Sequence, residues 1–255
     1  MDQPIGKLNR EISGKSIAET ELDRRLLALT QDLVPQFGHQ WNQHTLVSMK
    51  RQTLARLVYY HDLYRMILDV PGVLCEFGVQ WGATLATLIN LRGMYEPYNA
   101  SRTIVGFDTF EGFAAVDAKD GARVAAGDYA TRSGYENTLA ELLALHEANA
   151  PLAHLRRFAL VKGDAATTVR HWLEANPHAI VAMAIFDMDL YAPTREVLLA
   201  IMPRLTIGSV LVFDEMNHPG FPGETVALRE TLGLHRLSLR RMPHQSYGAW
   251  CVYGG

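Results

Sequence analysis

From Ile17 to Leu68 the apolar positions follow a helical period. Leu54, Leu57, Val58 and His61 stand at i, i+3, i+4 and i+7, with Lys50, Arg51 and Arg56 beside them. Pro71-Gly72 ends this pattern. Beyond it, short apolar runs alternate with helical stretches. Strands are expected over 73–77, 103–107, 158–161, 180–186 and 209–213, and helices over 83–92, 136–148, 165–175, 193–202 and 223–232. The runs 234–240 and 249–253 read as a closing antiparallel hairpin. Near-continuous apolar strands separated by helices indicate a mainly parallel sheet covered on both faces. The expected fold is therefore α/β and Rossmann-like, with seven strands in a domain over 71–255 and a helical extension over 1–70. The stretch 111–134 is rich in Gly, Ala and Asp and has no period, so it reads as a long loop of the kind that often covers a site.

Composition narrows the function classes. A net charge of −3 over 255 residues supplies no basic field for nucleic acid or anionic lipid. The apolar runs are strand-sized, well short of the roughly 20 residues that span a bilayer. The polar start of the chain has no apolar core of a secretion signal. Cys75 and Cys251 sit inside apolar runs and read as buried thiols. A cytoplasmic protein without nucleic-acid or membrane partners is expected.

Chemistry enters at the strand ends, where open parallel sheets bind ligands. The first strand ends in Glu76-Phe77-Gly78-Val79-Gln80-Trp81-Gly82, directly before a helix that carries Thr84 near its start. Glycines let the backbone approach a ligand, and the helix N-terminus favours a carboxylate. The spacing G-x-x-x-G differs from the G-x-G-x-x-G that a pyrophosphate needs, which favours S-adenosylmethionine over a dinucleotide. Asp108 closes the second strand, where it can accept from ribose hydroxyls. Gly163-Asp164-Ala165 closes the third, where Asp164 can accept from an adenine amine. Either Asp could instead be a helix cap or turn residue. The cofactor is thus expected against Glu76, Gly78, Gln80, Trp81, Gly82, Thr84, Asp108, Gly163, Asp164, Ala165 and Asp187.

The fourth strand ends in Asp187-Met188-Asp189-Leu190-Tyr191 and the fifth in Asp214-Glu215. Four carboxylates opening on one cleft would repel one another unless a hard cation such as Mg²⁺ joined them. The expected assignment places Asp187, Asp214 and Glu215 on the metal and Asp189 as general base toward a sugar hydroxyl.

These residues resemble the macrocin-type (TylF-like) O-methyltransferases of antibiotic-sugar pathways. The resemblance runs from about Thr45 to Gly255. It is carried by Met49-Lys50-Arg51, the loop from Glu76 to Thr84, Gly106-Phe107-Asp108-Thr109-Phe110-Glu111-Gly112-Phe113, Lys162-Gly163-Asp164, Asp187-Met188-Asp189-Leu190-Tyr191-Ala192-Pro193-Thr194 and Asp214-Glu215. It implies a class I methyltransferase fold, Mg²⁺ dependence and a homo-oligomer. The implied substrates are deoxysugars, either as nucleotide diphosphates or already attached to a natural product. In the family the first Asp of Asp-x-Asp is a metal ligand and the second a base, which corresponds to Asp187 and Asp189. The family usually shows Asp-Asp or a close variant after the fifth strand, where this chain has Asp214-Glu215.

On the substrate side, Lys50, Arg195, Arg229, Arg240 and Arg241 are candidate cations for a diphosphate, although most such residues are solvated surface. Trp81 can stack on a ring or fill the core. His218 and His244 are alternative bases, and Tyr247, Trp250 and Tyr253 read as core or subunit contacts. Other readings are a metal-free methyltransferase of glycosides or phenols, a nicotinamide-dependent dehydrogenase, and a non-catalytic cofactor-binding module. The dehydrogenase is disfavoured by the loop spacing.

Overall fold

The structure, a computed structural model, describes residues 16–255; the polar stretch before Ser16 lies outside the described residues. The chain divides into two compact units, one ending at Val58 and one running from Tyr59 to Gly255. In the first, α1 (Ile17–Leu33) starts at a capping box. Ser16 Oγ accepts the Glu19 amide at 3.3 Å, and the Glu19 carboxylate accepts the Ser16 amide at 2.8 Å. Short 3₁₀ turns and α2 (Trp41–His44) lead to α3 (Arg51–Met66). Lys50 is ion-paired with Asp23 within this unit.

The second unit begins within α3 at Tyr59, and the C-terminal half of that helix buries Tyr59, Tyr60, Leu63 and Tyr64. It continues through β1 (Val73–Phe77), α4 (Ala83–Tyr95), β2 (Ile104–Asp108), α5 (Tyr135–Ala148), β3 (Phe158–Lys162) and α6 (Ala165–Ala175). Then come β4 (Val181–Phe186), α7 (Tyr191–Ile201), β5 (Leu205–Phe213), α8 (Gly223–Thr231) and β6 (Ala249–Val252). The strand order is β3-β2-β1-β4-β5-β6, with β6 antiparallel to β5 and all other pairs parallel. Alternate strand residues feed two cores. Leu74, Ile104, Met183 and Val212 pack with α3, α4 and α5, whereas Cys75, Phe107, Ala184 and Leu211 pack with α6, α7 and α8. Burial on both faces explains the unbroken apolar runs.

The expected hairpin shrinks to one bridge, so the sheet has six strands. Arg240 and Trp250 exchange amide-to-carbonyl bonds of 2.8 and 2.9 Å, while Leu234–Arg236 form a 3₁₀ turn. Leu237 and Leu239 still pack on the core, but Pro243 has no amide with which to extend a ladder. Among the described residues no helix is long and apolar enough to cross a membrane.

Two features of the sheet ends position the site. At the carboxyl end, Phe107, Phe77, Phe186 and Phe213 share one register row across β2, β1, β4 and β5. Their rings stack at successive centroid distances of 4.9, 5.5 and 4.9 Å. This ladder sets the next residues, Asp108, Gly78, Asp187 and Asp214, at a common level. At the opposite end lie three buried arginines. Arg92 donates to the carbonyls of Arg102 (3.1 Å) and Arg157 (2.7 Å) and pairs with Glu147, which also receives Arg157. Arg102 donates to the carbonyls of Ile67, Val70 and Gly72 and pairs with Glu96. Guanidinium donors thus fill acceptor positions on carbonyls at helix ends and strand starts.

Candidate active site

The strand order reverses beside β1, so the loop after it opens into the crevice where such sheets bind ligands. Glu76 is buried at the end of β1. Gly78 takes φ +90, and a Cβ there would lie 1.8 Å from the Asp187 carbonyl oxygen. Only glycine lets the loop pass the end of β4 this closely. Gln80 is also left-handed, with φ 46, and its buried Nε2 has no hydrogen-bond partner among the described residues. An unpaired buried donor is costly, so this atom suits a loop that takes a polar ligand. Trp81 packs edge-on to Tyr135 at 4.8 Å, and the Tyr135 hydroxyl donates to the Trp81 carbonyl at 3.0 Å. Gly82 precedes α4, and Thr84 is buried in the first turn of that helix.

Asp108 organises this loop. Its Oδ2 accepts the amides of Val79 (2.6 Å) and Gln80 (2.8 Å), and its Oδ1 accepts that of Phe110 (2.5 Å). A carboxylate has about four acceptor positions, so the three amides leave roughly one of them open. The Gly163 amide donates to the Asp108 carbonyl at 2.9 Å. Asp164 caps α6 by accepting the Ala166 amide at 3.0 Å, and Ala165 is buried behind it. The sequence left the cap and ligand readings of Asp164 open; the structure shows the cap. Beside these strand ends a cavity of ≈ 280 Å³ is lined by Phe110, Glu111, Thr131, Ser133, Glu136 and Lys162 among others.

The acidic residues lie on the other side of β1. The Asp187 amide donates to Phe77 O (2.8 Å) and that of Asp214 to Phe186 O (3.1 Å), so both continue the ladder rows. Asp189 is left-handed, with φ 61. Burial pushes its carboxyl well above the ordinary range, and the charges of Asp187, Glu215, Asp214 and Asp120 add to the effect. The four expected acids therefore share one electrostatic environment. As the side chains stand, no group of three or more His, Cys, Asp or Glu among the described residues is gathered to hold a metal ion. The donor set of Asp187, Asp214 and Glu215 suits a hard cation by its chemistry, being oxygen alone.

His218 follows this group. Its Nδ1 accepts the amides of Gly220 (2.9 Å) and Phe221 (3.2 Å), and its Nε2 lies 3.8 Å from Glu215. Nδ1 must be unprotonated to accept, so Nε2 carries the proton and the ring is a donor there rather than a base. Burial, and secondarily Arg123, holds the imidazole pKa below its usual value. His244 is exposed. Tyr247 packs edge-on to His218 at 4.0 Å, whereas Trp250 is core. Of the candidate cations, Arg195 pairs with its neighbour Glu196 and Arg240 lies over Trp250.

Three residues near the acids escaped the sequence analysis. Arg123 stands near His218 on the long loop. Asp120, on the same loop, and Glu224, in the first turn of α8, are buried. A loop acid and a first-turn helix acid look like solvated caps in a sequence, and their burial has no local signal. The loop itself is packed. Lys119 pairs with Glu230 at 2.9 Å and lies 3.8 Å over the Tyr191 ring, whose hydroxyl also donates to Glu230.

A mostly parallel sheet of this order, closed by an antiparallel strand and with a glycine loop after β1, is Rossmann-like. The chain belongs to the macrocin O-methyltransferase (TylF) family, whose model matches residues 11–234. It is similar to CalS11, the calicheamicin methyltransferase, with 40% identity, a TM-score of 0.89 and 95% of each chain covered. The apo structure of CalS11, described as a TDP-rhamnose 3'-O-methyltransferase, matches at 39% identity and a TM-score of 0.83, covering 95% of this chain and 97% of that one. The O-methyltransferase NovP shares the fold at 18% identity and a TM-score of 0.55, over 78% of this chain and 79% of its own. A comparison with curated proteins found no match. The protein is an O-methyltransferase, and the family implies S-adenosylmethionine as methyl donor.

Proposed function

We propose that this chain transfers the S-adenosylmethionine methyl group to a hydroxyl of a deoxysugar carried on a nucleotide diphosphate, such as TDP-rhamnose, in antibiotic biosynthesis. The observation that carries this reading is the half-buried Asp189 carboxylate, set among Asp187, Asp214 and Glu215 beyond the strands next to the one that ends in the glycine loop. Its support in known chemistry is the 40% identity to CalS11 over 95% of the chain. We place the reaction in the cytoplasm of the producing cell and the enzyme in a homo-oligomer.

The cofactor lies against Glu76, Gly78, Gln80, Trp81, Gly82 and Thr84, with Asp108 toward its ribose, Gly163, Asp164 and Ala165 toward its adenine, and Asp187 beside the reacting end. Asp189 accepts the proton of the acceptor hydroxyl as the oxygen attacks the methyl carbon and the sulfonium leaves as a neutral thioether. A raised carboxyl pKa brings the base nearer to the working pH, where general-base catalysis contributes roughly 10²- to 10⁴-fold. Alignment of oxygen, methyl and sulfur is supplied by the two strand ends that Gly78 and Asp187 bring into contact. Asp187, Asp214 and Glu215 would hold a Mg²⁺ ion, which when bound lowers the pKa of a coordinated hydroxyl.

The test is a transfer assay across a panel of TDP-deoxysugars, finished glycosides and phenols, reading the mass of one added methyl. Methylation of a TDP-deoxysugar is expected. Transfer confined to glycosides or phenols would overturn the nucleotide-sugar reading. Asp189→Asn should abolish turnover while S-adenosylmethionine still binds in calorimetry.

A further inference from the structure

The turn Asp189-Leu190-Tyr191 is gripped by two buried carboxylates that come from different parts of the chain. Glu224, 0% exposed on α8, accepts the Asp189 amide through Oε1 at 3.3 Å and the Glu215 amide through Oε2 at 3.2 Å. Asp120, 1% exposed on the long loop, accepts the Tyr191 amide through Oδ1 at 2.5 Å and the Asp117 amide through Oδ2 at 2.6 Å. Gly223 is wedged between them. A Cβ at that position would lie 2.5 Å from Tyr191 N, 2.6 Å from Asp120 Oδ1 and 2.7 Å from Asp189 O. Asp189 itself holds a left-handed φ of 61, uncommon for a non-glycine residue although Asp adopts it more readily than most.

We propose that Glu224 and Asp120 are positioning residues that fix the backbone of Asp189 in its reactive geometry and tie the long loop to it. The inference rests on the role proposed above for Asp189. Burying a carboxylate is expensive, and here one oxygen of each holds an amide of that turn while the other holds the amide of Glu215 or of Asp117. Glu224 joins the ends of β4 and β5, whereas Asp120 joins the loop to the first residue of α7. With both oxygens of each engaged by backbone amides, their contribution is to geometry. Displacing a reacting group by about 1 Å costs on the order of 10²-fold in rate.

The test compares Asp120→Asn, Glu224→Gln, Gly223→Ala, Asp189→Asn and, as a control, Glu147→Gln at the distant arginine network. Each amide substitution turns one acceptor into a donor facing an N–H, and Gly223→Ala disturbs the grip while leaving both carboxylates in place. For the first three, kcat with the methylated TDP-deoxysugar should fall on the order of 10²-fold, with acceptor KM and S-adenosylmethionine affinity held. Amide hydrogen exchange at Asp189 and Tyr191 should speed up. Glu147→Gln should lower thermal stability while keeping kcat. Wild-type kcat in the variants that fold would overturn the inference while Asp189→Asn remained inactive. A kcat that merely followed stability, Glu147→Gln included, would overturn it as well. Wild-type turnover by Asp189→Asn would remove both the base and its positioning.

Discussion

Asp108 Oδ2 accepts the amide of Val79 at 2.6 Å, which fastens the loop after β1 to the end of the neighbouring strand. The same carboxylate also holds Gln80 and Phe110, so it shapes the glycine loop through three backbone amides. In Asp108→Asn the amide nitrogen must face a backbone N–H at one of these contacts. Leaving such a donor unsatisfied costs about 1–3 kcal/mol. Calorimetric titration with S-adenosylmethionine should show affinity reduced roughly 10- to 100-fold at 1.4 kcal/mol per decade. Unchanged affinity would mean that the loop keeps its shape without Asp108.

The loop and the acids were legible in the sequence because each sits where a strand pattern stops. Phe77-Gly78, Phe107-Asp108, Phe186-Asp187 and Phe213-Asp214 each mark the last buried ring and the first residue beyond it. Strand positions were legible for the same reason, since burial on both faces leaves runs that are mostly apolar, Glu76 in β1 being an exception. The rest depends on contacts between distant residues. Arg92, Arg102 and Arg157 look like helix and loop surface, and only the assembled sheet shows the carbonyls they serve. Asp120 and Tyr191 are 71 positions apart. The expected seventh strand has suitable alternation over Leu237 and Leu239, but Pro243 and the single Arg240–Trp250 bridge limit it.

Glu147 is the common partner of Arg92 and Arg157, all nearly inaccessible to solvent. Removing its charge leaves two buried guanidinium groups without a counterion. Breaking a buried pair in this way typically costs about 3–5 kcal/mol. Urea unfolding of Glu147→Gln should show a lower midpoint with an unchanged slope. A midpoint equal to that of the wild type would show that the carbonyls alone satisfy the arginines.

Glu96 gives the stability a pH dependence. Burial raises its carboxyl pKa, but hydrogen bonds from Arg102, Tyr64 and Asn99 outweigh burial and hold it below the ordinary value. A depressed folded-state pKa contributes stability above the unfolded value, near 4.3. That contribution is lost as pH falls through the folded-state value. The wild type should therefore lose more thermal stability than Glu96→Gln as the pH is lowered from about 5 toward 3. Parallel pH profiles for the two proteins would contradict this account.

Asp187, Asp214 and Glu215 raise the pKa of Asp189 as bare charges, and a divalent cation would change that balance. A cation bound among them would neutralise the repulsion and would polarise an acceptor oxygen, so its removal should affect turnover rather than cofactor binding. Treatment with EDTA should abolish methyl transfer, Mg²⁺ should restore it, and S-adenosylmethionine affinity should stay the same throughout. Glu215, longer than the aspartate of the family pattern, sets the affinity in this reading. Glu215→Asp and Glu215→Gln should therefore shift the Mg²⁺ concentration for half-maximal rate, the Gln variant upward, since it loses a ligand charge. Full turnover in EDTA would assign the three acids to tuning Asp189 by charge alone. Glu215→Gln would then lower the pH at which the rate rises, because one repelling charge has gone.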